Sequence, residues 1–314
     1  MIINDKQIFL LGPTATGKTE LLKNLYKSFP IEVISVDSAQ IYKGLDIGTA
    51  KLNNKELLET PHHLVDIRLP IETYSVGDFK KDVGIITTKS IKKQKVPFLC
   101  GGTMMYFNAL ENPLNNLPVS TKKTKKQVND ELAKSGLDFL FNKLKKIDPI
   151  LSKKIHAKDT QRILRGLEVY YISGKSLSSF YNKKLLKDKP PNILKLALWP
   201  NDRKKLHDII EDRVVLMLKN GLIEEVERIL KVYPKIDDSY PAFRSVGYRQ
   251  TFYYIKNLIP KDELKDRLIF ATRQLAKRQI TWMKKMDNLE IFEPFDKDLR
   301  KNVKNRIEIF LTKK

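Results

Sequence analysis

A glycine-bounded loop near the N-terminus narrows the choice of folds more than any other part of this sequence. It follows the apolar residues 8–11 and precedes three leucines at helical spacing within residues 21–25. Its members are Gly12, Pro13, Thr14, Ala15, Thr16, Gly17, Lys18 and Thr19. Strand, glycine loop and helix in this order are the context of a P-loop, in which backbone N–H groups and a helix N-terminus surround a phosphate chain. The loop predicts a polyphosphate site, with Lys18 as a mobile cation and the Thr19 hydroxyl on Mg²⁺, and does not by itself specify a nucleotide.

Apolar runs alternate with helical patterns beyond this loop. Residues 32–36, 96–100 and 193–200 are typical of buried strands, and residues 74–95 have helical spacing. This alternation predicts an α/β fold with a P-loop-type parallel sheet core flanked by helices. Ligands of such sheets bind at the carboxyl ends of the strands. We therefore expect the loop, Asp37 and Thr103, which each follow a predicted strand, to converge on one site.

The composition shifts near residue 110 to a lysine-rich, mainly helical stretch, and a strand pattern resumes after a basic linker. The predicted organisation is a core domain of residues 1–111 and 192–314 with C-terminal helices, interrupted by a helical insertion domain of residues 112–191. The insertion has amphipathic spacing at Leu137, Leu140 and Leu144, which favours helices packed on one another. Residues 202–232 also have helical spacing, with Asp202 as the expected N-cap and a charged face that includes Glu225.

The net charge of +22 favours a polyanionic partner, although a lysine-rich solvated surface would give the same charge. No run approaches the roughly 20 apolar residues of a membrane span, and the N-terminus lacks the pattern of a signal peptide. Cys100 is the single cysteine, which excludes a disulfide framework or a Cys-based zinc site within one chain. We expect a cytoplasmic protein without membrane contact.

Two strand ends carry candidate chemical groups. Asp37 could hold Mg²⁺ through water, act as a general base, or cap a helix. Gly101 and Gly102 would let backbone approach a ligand closely, and Thr103 adds a hydroxyl. The adjacent His62 and His63 make a poor metal pair, and packing or hydrogen-bonding roles are favoured for both.

Three cationic segments, called the mixed segments below, are candidates for RNA contact. The first places two arginines three residues apart on one helix face, and the other two mix cations with aromatic residues, which suits phosphate contact and base stacking. Each alone is also compatible with a solvated helix face. The first contains Gln161, Arg162, Ile163, Leu164 and Arg165; the second Arg244, Ser245, Val246, Gly247, Tyr248 and Arg249; the third Lys277, Arg278, Gln279, Ile280, Thr281, Trp282, Met283 and Lys284.

Taken together, these motifs resemble the bacterial tRNA dimethylallyltransferases (tRNA isopentenyltransferases), in order and over nearly the whole chain. They are the loop, residues 35–51 (SVDSAQIYKGLDIGTAK), residues 101–103 (GGT), 159–162 (DTQR), 246–250 (VGYRQ) and 272–282 (TRQLAKRQITW). The segments 37–51 and 273–282 are highly specific, whereas a P-loop alone is not. The chain lacks the paired Cys and His of the zinc finger in eukaryotic relatives, so no zinc is expected.

The resemblance implies transfer of a dimethylallyl group from its diphosphate to N6 of the adenosine just 3′ of the anticodon, position 37, in tRNAs that read codons beginning with U. It implies that the loop and Arg213 bind the donor diphosphate, that Asp37, Thr103 and Arg213 are catalytic, and that Mg²⁺ lies at Thr19. Contacts to the anticodon stem-loop are implied for the three mixed segments and for Asp37, Ser38, Ala39, Gln40, Thr103 and Lys125.

Two other functions remain open at the level of sequence. A P-loop kinase or ATP-dependent RNA-modifying enzyme would bind ATP at the same loop. A non-catalytic RNA-binding protein could retain the loop as a relic, although intact Lys18, Thr19, Asp37 and Thr103 argue against that. A monomer is expected, because no apolar stripe is left over for an interface.

Overall fold

The described residues form a single parallel sheet, and its strand order brings the predicted site together. The computed structural model describes residues 6–111, 117–180 and 192–313. Within them the strands are β1 (Lys6–Leu11), β2 (Ile31–Val36), β3 (His62–His63), β4 (Val96–Gly101), β5 (Asn192–Leu198) and β6 (Glu290–Phe292). Their order across the sheet is β3-β2-β4-β1-β5-β6, and every pairing is parallel. The predicted α/β fold is confirmed.

Helices connect and cover these strands, and a second group of helices follows β4 in the chain. Their bounds are α1 (Lys18–Tyr26), α2 (Asn54–Glu59), α3 (Val76–Lys92), α4 (Met104–Glu111), α5 (Lys122–Ile147), α6 (Pro149–Ser152), α7 (Thr160–Ser173), α8 (Arg203–Lys219), α9 (Leu222–Val232), α10 (Tyr248–Ile255), α11 (Lys261–Met283) and α12 (Leu299–Thr312), with a 3₁₀ turn at Leu177–Phe180. No helix within the described ranges is long and apolar enough to cross a membrane.

The chain divides into two compact units. One comprises Met1–Glu111 and Pro190–Lys314, and the other comprises Asn112–Lys189. Leu140, Leu144 and Ile163 are buried in the core of the second unit. The tRNA contact predicted for the insertion stays a prediction.

The sheet of the first unit is buried on both faces, which explains the continuous apolar runs in its strands. Phe9 and Leu11 face one hydrophobic cluster, together with helices α3, α4, α9 and α10. Ile8 and Leu10 face the other, together with α1 and α12. With both faces covered by helices, only the loops at the strand ends remain for a site.

Two glycines divide segments whose apolar spacing is otherwise continuous. Residues 202–232 have the pattern of one long helix, but α8 ends at Lys219 and α9 begins after Gly221, whose φ of 93° is left-handed. Gly136, with φ 78° and ψ 168°, interrupts α5 in the same way. Asp202 accepts a hydrogen bond from Lys205 N at 2.9 Å, so its predicted role as the cap of α8 is confirmed.

Candidate active site

Three neighbouring strands end at one level, and their ends are joined by hydrogen bonds. Because β4 lies between β1 and β2, Gly101 is paired with Leu11 on one side and Val36 on the other. Thr103 N donates to Val36 O at 3.1 Å, and Thr103 Oγ1 accepts from Ser38 N at 3.0 Å. Thr103 is thereby attached to the segment that carries Asp37, as the shared strand ends predict.

The loop after β1 has the backbone geometry of an anion site. Ala15 and Gly17 both have left-handed φ, 66° and 73°, and Thr16 Oγ1 closes the loop by donating to Pro13 O at 2.8 Å. A β-carbon on Gly12 would lie 2.9 Å from Leu198 O, so this position requires glycine. No side chain caps the N-terminus of α1. The first N–H groups of that helix are left for an anion.

Lys18 folds back over the loop. Its Nζ donates to Gly12 O at 2.9 Å and Pro13 O at 2.6 Å. Burial lowers the pKa of Lys18 to about 8, with a further lowering from Arg213 and opposite contributions from Cys100 and Asp37. Both hydrogen-bond partners of the ammonium are neutral backbone carbonyls, which an incoming phosphate would replace.

The two carboxylate oxygens of Asp37 have different surroundings, because only one of them accepts hydrogen bonds from the backbone. Its Oδ1 accepts from Ala39 N at 2.8 Å and Gln40 N at 3.1 Å, which fixes the side chain in a tight turn. Oδ2 accepts no hydrogen bond from any residue in the described part of the chain. A half-buried carboxylate with one oxygen anchored and one available suits a general base.

Arg213 belongs to the same electrostatic cluster. It comes from α8, is half-buried, and interacts electrostatically with both Lys18 and Asp37. Burial lowers the pKa of Arg213, and Asp37 opposes this shift. Its Nη2 lies 3.5 Å from Thr49 O. Two cations and one carboxylate around the loop form a site that would bind an anion and accept a proton.

Mg²⁺ is implied by the loop motif, and Thr19 fits it in part. The Thr19 side chain is exposed, and its hydroxyl forms no hydrogen bond to another described residue. It is a hard oxygen ligand, and Mg²⁺ commonly takes one or two protein ligands with phosphates and water completing its shell. Across the ranges that the structure describes, no three His, Cys, Asp or Glu side chains are grouped to bind a metal by themselves. Bound phosphate would have to supply most of the remaining ligands.

The third mixed segment, on α11, has one exposed and one buried face. Its polar side chains and Trp282 are exposed, with the Thr281 hydroxyl donating to Lys277 O at 2.9 Å, whereas Met283 packs in the core at 1% exposure. Gln279 is buried as well and forms hydrogen bonds at the site itself. The exposed residues are Lys277, Arg278, Thr281, Trp282 and Lys284, and Ile280 is half-buried.

The second mixed segment, residues 244–249, also contains both exposed and buried side chains. Arg244 is exposed, Ser245 and Val246 are half-buried, and Tyr248 is fully buried. Arg249 is exposed but donates through Nε to Tyr253 at 3.0 Å. The burial of Tyr248 corrects its predicted direct contact with RNA, because its side chain has no free surface.

The first mixed segment lies at the start of α7 in the second unit. Gln161 and Arg162 are exposed, as is Lys125 on α5. Ile163 is fully buried and Leu164 is half-buried. Arg165 Nη2 donates to Pro118 O at 2.8 Å, so this guanidinium secures the chain before α5. Direct RNA contact is corrected here for Ile163 as well, since its side chain fills the core.

The predicted place of Glu225 on the charged, solvent-facing side of its helix is wrong. It is 2% exposed and accepts hydrogen bonds from Asp46 N, Ile47 N and Gly48 N. The spacing Leu222, Glu225, Val226 and Ile229 follows the i, i+3, i+4, i+7 pattern of a buried helix face, and was the signal that could have revealed it.

Comparison with known proteins identifies the family. A sequence model of the family described as IPP transferase matches residues 40–286. This match covers well over half of the chain. The chain belongs to the IPP transferase family. The IPP transferase match includes Thr103, Arg213 and the α11 segment, whereas the P-loop and Asp37 precede it.

Individual relatives align with nearly the whole chain, including the N-terminal residues that precede the family match. A tRNA dimethylallyltransferase of Methylobacillus flagellatus is 40% identical over 312 residues, 99% of each chain. The solved tRNA isopentenylpyrophosphate transferase of Bacillus halodurans is 32% identical with a TM-score of 0.71, covering 98% of this chain and 97% of that one. A eukaryotic dimethylallyltransferase, described as acting on tRNA, is 27% identical with a TM-score of 0.80, covering 97% of this chain and 77% of that one. The IPP transferase fold therefore includes the P-loop strand.

Proposed function

We propose that this chain transfers a dimethylallyl group from dimethylallyl diphosphate to N6 of adenosine 37 in tRNAs reading codons that begin with U. One observation carries the proposal. The P-loop, Asp37 and Thr103 converge at three adjacent strand ends in a member of the IPP transferase family. The relatives named as tRNA dimethylallyltransferases support prenyl transfer over the alternative of a P-loop kinase.

The donor diphosphate is assigned to the loop. The exposed N–H groups at the start of α1, Lys18 and Arg213 would neutralise the charge that grows on the diphosphate as its bond to the prenyl carbon breaks. Moving Lys18 Nζ from the carbonyls of Gly12 and Pro13 to a phosphate oxygen exchanges neutral acceptors for a charged one. Thr19 would hold Mg²⁺, which would share this charge neutralisation.

The acceptor adenine is assigned to the ends of β2 and β4. An exocyclic adenine amine is a weak nucleophile, because its lone pair is delocalised into the ring. As N6 bonds to the prenyl carbon and diphosphate leaves, the N6 proton passes to Oδ2 of Asp37, a step worth roughly 10²–10⁴-fold in rate. Thr103 would position the base through its hydroxyl, which already orders Ser38.

The tRNA is assigned to exposed cations on each unit and to one exposed aromatic ring. Arg244, Arg278 and Trp282 belong to the first unit, and Lys125 and Arg162 to the second. Adenosine 37 must leave its stack in the anticodon loop to react, at a cost of a few kcal/mol. Contacts with phosphate and stacking on an aromatic ring such as Trp282 would offset that cost. We expect the enzyme to act as a monomer.

One assay separates the proposed function from its alternatives. The protein is incubated with unmodified tRNA, Mg²⁺ and either carbon-labelled dimethylallyl diphosphate or labelled ATP. Label from the prenyl donor should reach tRNA without ATP, and a tRNA with guanosine at position 37 should accept none. Label transfer from ATP alone would establish kinase-like chemistry, and tRNA binding without any transfer would indicate an RNA-binding protein.

A further inference from the structure

We propose that Gln279 is a positioning residue whose side-chain amide fixes the donor loop relative to the strand end that carries Thr103. The inference rests on the proposed function for its chemical meaning, but the geometry belongs to the protein alone. It assigns Gln279 a role inside the active site, in place of the RNA contact predicted from its position in a basic segment.

The amide of Gln279 connects two segments that are distant in sequence. Its Oε1 accepts from Thr14 N at 2.9 Å, and its Nε2 donates to Gly102 O at 2.9 Å. The residue is 9% exposed, and both bonds are partly buried. A carboxamide supplies one acceptor and a donor at the same end of a side chain, which neither a carboxylate nor an ammonium can do.

Gly102 is shaped for this contact. A β-carbon built on Gly102 would lie 2.4 Å from Gln279 Nε2 and 3.6 Å from Gly12 O. Any larger residue would have to displace the amide from between the two backbones. The space beside Gly102, predicted for close approach of a ligand, is therefore filled by a side chain of the protein itself.

The reaction needs this connection. The leaving group would bind at residues 12–19, and the nucleophile would lie beside Asp37 and Thr103. Thr103 is bonded to Val36 and Ser38, on the side of β4 away from the loop. Beyond the pairing of β1 with β4, Gln279 provides the hydrogen-bonded link between the loop and residues 101–103 among the described residues. A displacement of about 1 Å between reacting groups can cost 10²-fold in rate.

The position of Gln279 on α11 distinguishes it from the neighbouring residue predicted to bind RNA. Arg278 is exposed while Gln279 is buried, although the two are adjacent. Loss of Arg278 should weaken tRNA binding, whereas loss of the Gln279 amide should slow transfer in the bound complex. The two neighbours form a matched pair for the test.

The experiment compares Gln279→Met, which keeps the length of the side chain and removes both hydrogen bonds, with Arg278→Ala and wild type. Single-turnover transfer at saturating tRNA, tRNA affinity, calorimetric binding of inorganic diphosphate and thermal unfolding are measured for each. We expect Gln279→Met to lower the transfer rate at least about ten-fold and to weaken diphosphate binding several-fold, with tRNA affinity within about two-fold. Arg278→Ala should show the opposite pattern.

A second set of variants keeps the test valid if Gln279→Met folds poorly. Gly102→Ala should itself slow transfer by pushing the amide aside, and should cost little more in a Gln279→Ala background, where there is nothing to displace. Independent, multiplicative losses would overturn the proposal. Wild-type rate and diphosphate affinity in Gln279→Met would also overturn it, as would a loss confined to tRNA affinity. If wild type transferred no prenyl group, the proposed function would fail while diphosphate binding would still decide the role of Gln279.

Discussion

The Tyr248 hydroxyl donates a hydrogen bond of 2.6 Å to Glu225 Oε1, and both side chains are buried. The same carboxylate accepts from Ile47 N at 2.9 Å and, at longer distances, from the N–H groups of Asp46 and Gly48. A β-carbon on Gly48 would lie 2.6 Å from the Tyr248 ring. Glu225 thus acts as an internal anion that folds the motif segment 46–48 around itself, with its charge offset by four donors.

Tyr248→Phe should destabilise the protein through this carboxylate. Hydrogen bonds to charged groups contribute about 1.5–3 kcal/mol, and a buried carboxylate that loses one donor has no water to replace it. The free energy of unfolding, measured in urea, should fall by about that amount. Tyr254→Phe on the same helix is the matched control and should have little effect. Equal stability of both variants would contradict the role given to Glu225.

Asp37→Asn should impair proton transfer while preserving the turn. The amide retains an oxygen that can accept from Ala39 N and Gln40 N but cannot take up the N6 proton. The single-turnover rate should fall at least about ten-fold, with tRNA affinity within a few-fold, because proton removal belongs to the chemical step. Asp37→Ala should lose rate to a similar extent and also lose the turn. Normal turnover in the asparagine variant would remove Asp37 from the mechanism.

Diphosphate binding should depend on the ionisation of Lys18. Burial lowers the pKa of Lys18 to about 8, so in the free protein the ammonium loses its charge as pH rises above that value. Bound diphosphate stabilises the ammonium and raises its pKa. Binding above pH 8 therefore takes up a proton, and affinity should fall by up to about ten-fold for each pH unit between 8 and 10.

The control for this titration is Lys18→Arg, whose guanidinium stays charged over the whole range. Its residual pH dependence reports the ionisation of diphosphate itself, which works in the opposite direction. Calorimetry of inorganic diphosphate from pH 6 to 10 gives both curves. Parallel curves for wild type and Lys18→Arg would show that Lys18 does not titrate in this range.

The sequence predicts the fold and the approximate place of the site, because both depend on local patterns. Apolar runs specify the strands, and the carboxyl ends of parallel strands place Asp37 and Thr103 beside the loop. What it does not predict depends on tertiary partners. The charge of Glu225 predicts a solvated residue, because the donors that allow its burial come from residues 46–48 and Tyr248, which reach it only in the folded protein.

Gln279 illustrates the same limit at the site itself. Lys277 and Arg278, which precede it, are cationic and exposed, so local composition favours RNA contact. The two hydrogen bonds to Thr14 and Gly102 join residues more than 170 positions apart in sequence and have no local signature. Breaks in helices are a different case. Gly136 and Gly221 are visible in the sequence, but glycine adopts negative φ as readily as positive φ, so the sequence does not predict that the helices break at these positions.

The last prediction separates contacts with phosphate from contacts that position the adenosine. Lys123, Lys125 and Lys126 are exposed at the start of α5, within the lysine-rich stretch 122–126. Arg244 is exposed beside α10. We assign the lysines to sequence-independent contact with phosphate and Arg244 to placement of the anticodon loop.

Lys125→Ala combined with Lys126→Ala should weaken binding to every tRNA alike. Each lost phosphate contact removes roughly 0.7–0.9 from the slope of log K against log salt, so the slope should flatten by at most about two. Lys89→Ala with Lys92→Ala, on the exposed part of α3, is the control for charge alone. Arg244→Ala should instead reduce single-turnover transfer to adenosine 37 more than it reduces tRNA affinity. The measurements are salt titrations of tRNA binding and transfer rates for all variants. An unchanged salt slope in the α5 variant, or a loss of affinity alone in Arg244→Ala, would contradict this division of roles even if prenyl transfer itself were established.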